Sequence, residues 1–308
     1  MCSVVLLALF IAALVVGAIV TMSVLHAPAL DPASPRATAA IVRREVRRHA
    51  TLQRFIRARV DPQIATGLVL TLAIGAVVIG GAIVGLLLWM VRANTGLARS
   101  DRGVATWGAS NASDATTSIL RAITDLGGTR FVVLAAIVVA LIEMRRVPSW
   151  TVPVFVTVVV AGQNLVTNLV KELVDRARPD IDPLAGFSGA SFPSGHSAAA
   201  AAAYMAFALL LGRRRSQPVQ ALLAGAAAAV AVAVAASRVL LGVHWLTDVL
   251  AGLALGWAWF ALCAIAFGGR LLHFGAPVEI AERADAVSTS APGRDGGAGS
   301  GEGSDASS

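Results

Sequence analysis

An all-α integral membrane protein is the fold class this sequence predicts, and three observations predict it. Of the 308 residues, 56% are hydrophobic and only 14% charged, with a mean hydropathy of +0.74. A soluble domain carries about 25% charge. The apolar residues also stand in unbroken runs instead of alternating with polar ones. Seven of these runs approach spanning length, since a helix needs roughly 17–25 residues to cross the hydrocarbon core.

The first run, 1–25, has no basic residues before it, as a secretory signal would. It is read as a retained N-terminal transmembrane helix with its N-terminus outside. Residues 26–66 follow with Arg43, Arg44, Arg47, Arg48, Arg54, Arg57 and Arg59. This segment is either a solvated cytoplasmic linker or an interfacial helix on anionic lipid. The span 67–268 then holds a six-helix core, its segments at 67–91, 129–144, 149–171, 196–212, 218–241 and 246–268. Within the loop before the second of these, 104–126 mixes Trp107, Ile119, Leu120, Ile123 and Leu126 with polar residues, which predicts a short amphipathic helix along the membrane surface. The tail 276–308 is Gly/Ser-rich and acidic, and reads as disordered.

Charge orients this arrangement. Arg145 and Arg146, Arg213 to Arg215, Arg270 and the 43–59 cluster all fall on one side of the membrane when spans are counted. The positive-inside rule makes that side cytoplasmic. The net charge of +7 and pI near 11 are therefore topological, and no basic–aromatic interleaving points to nucleic acid. Cys2 and Cys263 have neither metal-ligand spacing nor a disulfide framework. Arginine supplies 24 of the 25 basic residues, and the one lysine, Lys171, invites a specific explanation.

Polar residues concentrate at three places, all at the outward ends of core spans. In Lys171-Glu-Leu-Val-Asp-Arg-Ala-Arg178-Pro179, seven residues are close to two helical turns, so Lys171 and Arg178 are expected on one helix face. Such a pair suits a phosphate dianion, or else two boundary cations snorkelling toward water. In Pro193-Ser194-Gly195-His196, Ser194 fits a helix N-cap and Gly195 lets an anion approach the backbone. An ordinary capped helix start with an incidental His accounts for the motif as well. In Ser237-Arg238-Val-Leu-Leu-Gly-Val-His244-Trp-Leu-Thr-Asp248, a four-residue spacing brings His244 and Asp248 together on a helix. The carboxylate can hold one imidazole nitrogen protonated and free the other as nucleophile. A buried ion pair closing a helix hairpin is the competing account. Taken jointly, two histidines, three cations, an anion-binding turn and an orienting carboxylate make a kit for phosphoryl transfer.

At these residues the chain resembles the type 2 phosphatidic acid phosphatase superfamily, the lipid phosphate phosphatases. The family pattern is Lys-x6-Arg-Pro, Pro-Ser-Gly-His, then Ser-Arg-x5-His-x3-Asp, and this sequence matches it throughout, over about 67–268. The resemblance implies that His244 attacks phosphorus and forms a phosphohistidine, with Asp248 orienting it. It implies that His196 protonates the leaving group and then activates water. Lys171, Arg178, Arg238 and the Ser194–Gly195 backbone would hold the phosphoryl oxygens. No metal and no cofactor are implied. The expected partner is a lipid phosphate in the bilayer, of the undecaprenyl diphosphate, phosphatidic acid or phosphatidylglycerol phosphate type, met at the outer face of a bacterial cell membrane. The same chemistry with an alcohol acceptor gives a lipid phosphotransferase. A non-catalytic membrane lipid-binding or transport protein is the alternative from another class. The vanadium haloperoxidases share the anion-site pattern but are soluble.

Overall fold

The computed structural model describes residues 2–26, 65–181, 183–186 and 188–272. Among these the chain is helical and contains no strand. Nine α-helices follow in order: α1 Cys2–His26, α2 Ala65–Ala93, α3 Asp101–Ser110, α4 Asp114–Asp125, α5 Thr129–Arg146, α6 Thr151–Val174, α7 Gly195–Gly212, α8 Gln217–Leu240 and α9 Leu246–Leu272. Six of them, α1, α2, α6, α7, α8 and α9, are each long and apolar enough to cross a membrane. α5 carries Arg130, Glu143, Arg145 and Arg146, and it reaches that standard only with α4, from which it is bent by 48°. The Arg-rich 41–59 segment and the 276–308 tail lie outside the described residues.

The centre of the bundle is α7, which packs against α5, α6, α8 and α9. Its sequence explains why it sits there. The run Ala198–Ala203 is buried along its whole length, and small side chains let neighbouring backbones approach closely. In lipid this close packing, rather than hydrophobic exclusion, holds helices together. α9 answers with Gly252 and Gly256, four residues apart. A Cβ at Gly252 would stand 2.5 Å from the Ser194 carbonyl oxygen, and one at Gly256 would collide with the Ala198 carbonyl. Outside this centre, α1 packs along α8 through buried Val5, Leu9 and Ala13, with Gly17 directly against the Gly225 carbonyl. The outer faces of α1, α2 and α5 expose Leu14, Ile19, Val78, Leu134 and Leu141, as lipid-facing surfaces do.

The 104–126 stretch forms two helices in place of the one expected. Asn111 ends α3, and Ser113 opens α4 as an N-cap, its side chain accepting from the Thr116 N–H. α4 also buries Leu120 in a cluster with Leu240, Leu241 and Val243, so it packs on the end of α8.

At the far end of α7, the buried Glu143 carboxylate of α5 accepts from Arg213 Nη2 at 2.6 Å and from Arg146 Nη1 at 2.7 Å. Its residue is 1% exposed, so its charge depends on these partners. Removing one member of a buried pair leaves the other uncompensated, which costs about 3–5 kcal/mol. Glu143→Ala is expected to lower stability by about 3 kcal/mol, read as the unfolding midpoint in a detergent-denaturant titration. The Glu143→Ala/Arg213→Ala double variant should recover part of that loss.

Candidate active site

Four helix ends meet at the opposite end of α7 from Glu143, and each carries part of the three sequence motifs. Lys171 lies in the last turn of α6, His196 in the first turn of α7, Arg238 in the last turn of α8 and Asp248 in the first turn of α9. Each end has a local reason. Ser194 caps α7, its Oγ accepting from the Ser197 N–H and from Ser197 Oγ at 2.9 Å. At α9, Asp248 reaches back to the Trp245 backbone N–H at 3.0 Å, the reciprocal half of a capping box. The two starts are tied together, because the Ser194 N–H donates to the Asp248 carbonyl at 2.9 Å. Gly252 allows this approach.

The Lys171–Arg178 pair does not share a helix face as expected. α6 stops at Val174, and Asp175 adopts a left-handed conformation with φ of 44° as its C-cap. Arg178 therefore stands in the following loop. It still returns to Lys171, because both side chains donate to the Ala190 carbonyl, Lys171 Nζ at 2.6 Å and Arg178 Nη2 at 3.3 Å. Arg178 also donates to the carbonyls of Ser188, Gly189 and Val243. Burial lowers its pKa from the ordinary value, while Asp248 pulls the other way. An arginine stays charged under such shifts.

His244 is held at both ring nitrogens. It precedes α9, in the turn that Gly242 makes with φ of 70°, and is not itself helical as the four-residue spacing suggested. Nδ1 lies 3.4 Å from Asp248 Oδ2, and Nε2 lies 3.2 Å from Arg178 Nη1. A guanidinium has only donors to offer. Nε2 is therefore the acceptor, the ring proton sits on Nδ1 facing Asp248, and the Nε2 lone pair points among the cations. Burial pushes the imidazole down to about 4, with Arg178 and Arg238 adding to the effect and Asp248 opposing it.

Arg238 closes the other side. It is 3% exposed, its Nη1 donates to Thr124 Oγ1 at 3.2 Å, and its Nε has no partner among the described residues. A buried donor left unpaired is costly unless something else satisfies it, and an oxyanion at this place would do so. His196 lies within electrostatic reach of Arg238, His244, Lys171 and Arg178. The structure thus brings together all eight expected residues: Lys171, Arg178, Ser194, Gly195, His196, Arg238, His244 and Asp248.

Three contributors were not foreseen from sequence. Ser191 Oγ donates to Asp248 Oδ2 in a very short hydrogen bond. Arg176 Nη1 donates to Asp248 Oδ1 at 2.5 Å. Arg176 also pairs with Asp101 of α3 at 2.7 Å. Arg176 lies inside the first motif, but nothing in the spacing distinguishes it from a solvated arginine. The partner that gives it meaning is 75 residues away along the chain.

The chain is similar to known proteins in both sequence and fold. The PAP2 superfamily is matched over residues 152–271. Phosphatidylglycerophosphatase B of Bacillus subtilis (strain 168) is 34% identical over 149 residues, covering 47% of this chain and 71% of that protein. Lipid A 1-phosphatase of Rhizobium johnstonii is 42% identical over 118 residues, 35% of this chain and 43% of the relative. Decaprenylphosphoryl-5-phosphoribose phosphatase of Mycobacterium tuberculosis is 40% identical over 106 residues, 33% of this chain and 54% of the relative. The chain thus spans about half the length of these last two. Among solved structures, the transmembrane PAP2-type phosphatidylglycerolphosphate phosphatase from Bacillus subtilis superposes with a TM-score of 0.57 at 28% identity, covering 62% of this chain and 96% of that one.

The His244 environment fixes the sign of one pH effect. Its folded-state pKa, about 4, lies below the ordinary value of about 6.5, so protonation favours the unfolded chain. The stability it contributes is full above about pH 6.5 and is lost as pH falls toward about 4. Histidine-labelled nitrogen NMR in micelles should find the His244 ring neutral, with its proton on Nδ1, from pH 7.5 down to about 5. A ring already cationic at pH 6 would contradict this assignment.

Proposed function

The chain belongs to the PAP2 superfamily, and from that premise we propose that it is a membrane lipid phosphatase acting through a phosphohistidine on His244. The observation that carries this reading is the two-sided hold on the His244 ring, with Nδ1 against Asp248 and Nε2 among Arg178 and the neighbouring cations. A neutral imidazole so held is a nucleophile already aimed at the place where a phosphate would be bound.

The reaction takes two steps. The His244 Nε2 lone pair attacks phosphorus, the bond from phosphorus to the lipid oxygen breaks, and His196 gives its proton to the departing oxygen. Water then attacks the phosphohistidine, His196 takes a proton from it, the P–N bond breaks and inorganic phosphate leaves. Asp248 balances the positive charge that the ring acquires when it is phosphorylated. Lys171, Arg178, Arg238 and the Gly195 N–H hold the phosphoryl oxygens, the Ser194 N–H being already committed to the Asp248 carbonyl, and in this task preorganised charge supplies much of the rate. These cations do the neutralising in this mechanism, so no metal is required.

A lipid phosphate as substrate is supported by the relatives, whose names include a phosphatidylglycerophosphatase, a lipid A phosphatase and a polyprenyl phosphoribose phosphatase. The site's end of the bundle is assigned to the outer face. His196 and Arg213 stand at opposite ends of α7, whose 18 residues at 1.5 Å each extend about 27 Å. With Arg213 to Arg215 on the cytoplasmic side by the positive-inside rule, the site faces outward.

The test is phosphate release by purified protein in detergent with EDTA. The panel holds phosphatidylglycerophosphate, phosphatidic acid, undecaprenyl diphosphate, a lipid A-type 1-phosphate and decaprenylphosphoryl-5-phosphoribose. Release should persist in EDTA, fall at least ~1,000-fold in His244→Ala and ~100-fold or more in His196→Ala. Well-folded wild type that releases phosphate from none of these lipids would overturn the proposal. Transfer to an alcohol in place of water would redirect it to a phosphotransferase.

A further inference from the structure

Behind the His244–Asp248 pair lies a second buried carboxylate that the reaction as written leaves unused. Asp101 opens α3, outside the residues matched by the family, and is 3% exposed. Oδ1 accepts from the Thr247 N–H at 2.9 Å, and Oδ2 accepts from Thr247 Oγ1 and Arg176 Nη2, each at 2.7 Å. Arg176 in turn donates through Nη1 to Thr247 Oγ1 at 2.8 Å and to Asp248 Oδ1 at 2.5 Å, and its guanidinium lies 5.4 Å from the Trp245 ring centroid. One planar fork thus spans two carboxylates that arrive from α3 and α9.

The charge balance of this group bears on His244. Asp248 alone with Arg176 would be a neutral pair, and its carboxylate would offer little to a ring turning cationic. Asp101 adds a second negative charge to the same guanidinium, so the three groups together carry a net charge of −1. That surplus faces His244 from Asp248 Oδ2, which the ring's Nδ1–H approaches. We infer that Asp101 and Arg176 form a positioning unit for His244, in which Asp101 returns to Asp248 the negative charge that Arg176 would otherwise cancel. Neither residue touches the reacting atoms. Asp101 also ties the α3 segment to the first turn of α9 through Thr247, so the loop preceding the family-matched region becomes part of the site.

This inference rests on His244 being the nucleophile, and the experiment separates the two. Steady-state kinetics are measured on wild type, His244→Ala, Asp101→Asn, Arg176→Lys and Arg176→Ala, with the lipid that wild type hydrolyses best. Loss in His244→Ala establishes the parent reading independently. Asp101→Asn keeps the shape and an acceptor for the Thr247 N–H while removing the charge. It should lower kcat about tenfold or more, with KM and inhibition by inorganic phosphate within about twofold of wild type, because the phosphate-holding groups are untouched. Arg176→Lys should fall similarly, since an ammonium cannot bridge two carboxylates as a fork does. In Arg176→Ala, added guanidinium should restore part of the lost kcat, a response that a purely structural defect would not give. Wild-type kcat in Asp101→Asn overturns the inference. So does a loss expressed as raised KM, or an Arg176→Ala variant that guanidinium leaves unchanged. Should Asp101→Asn fail to fold, the guanidinium response of Arg176→Ala decides the question alone.

Discussion

The structure at the site depends on keeping one carboxylate, Asp248, ionised where water does not reach it. It is 0% exposed, and a buried carboxylate without partners gives up its charge or unfolds its surroundings. Four donors prevent that: Ser191 Oγ, Arg176, the Trp245 N–H and the His244 ring. They come from the loop after α6 and from the start of α9, so Asp248 is satisfied only when these segments are already in place. The tight α7–α9 contact is part of the same requirement. Gly252 brings α9 close enough for the Asp248 carbonyl to take the Ser194 N–H, and this sets the Pro193–His196 turn opposite His244. Packing of small residues in the membrane thereby fixes a polar geometry at its edge.

The same constraint explains why so many cations tolerate one another. Lys171, Arg178 and Arg238 crowd around the two histidines. Unit charges 4 Å apart repel by about 4 kcal/mol at an effective dielectric near 20, and Asp248 shares its own charge with Arg176. Backbone carbonyls take up part of the excess, with Lys171 and Arg178 meeting at the Ala190 oxygen. The unpaired Arg238 Nε is the remainder. In the proposed reaction a dianion entering here would relieve repulsion and satisfy Arg238 Nε at once, which boundary cations reaching for water would not need.

Much of this was legible from the sequence, because the signals were local. The spans came from unbroken apolar runs, and the α7 start at Gly195 followed from a Ser cap ahead of an alanine run. The motifs placed all eight expected residues at one end of the bundle. What periodicity misjudged were the stretches where the helix had already stopped. Asp175 takes a left-handed conformation, so two helical turns no longer relate Lys171 to Arg178, and the loop restores their proximity by another route. His244 likewise meets Asp248 from a turn, through the capping geometry of α9. Arg176 and Asp101 were out of reach for a different reason. A charge earns its role from its partner, and theirs lie 72 and 75 residues from Arg176. A buried Asp in a stretch that reads as surface loop gives no local sign of being buried.

In the proposed reaction, environment also divides the labour between the two histidines. His244 is clamped at both nitrogens, which suits a ring that must keep one proton fixed and present one lone pair along one line. His196 sits at the first turn of α7 with no side-chain hydrogen bond among the described residues, which suits a ring that must give up a proton in one step and take one in the next. Exchanging the two would fail on those grounds. A nucleophile free to turn would lose its aim, and a shuttle held rigidly could not follow its proton from the leaving group to water. In the proposed reaction, then, the order of roles is set by what surrounds each ring, and Asp248 with its distant support from Asp101 determines which of the two is held still.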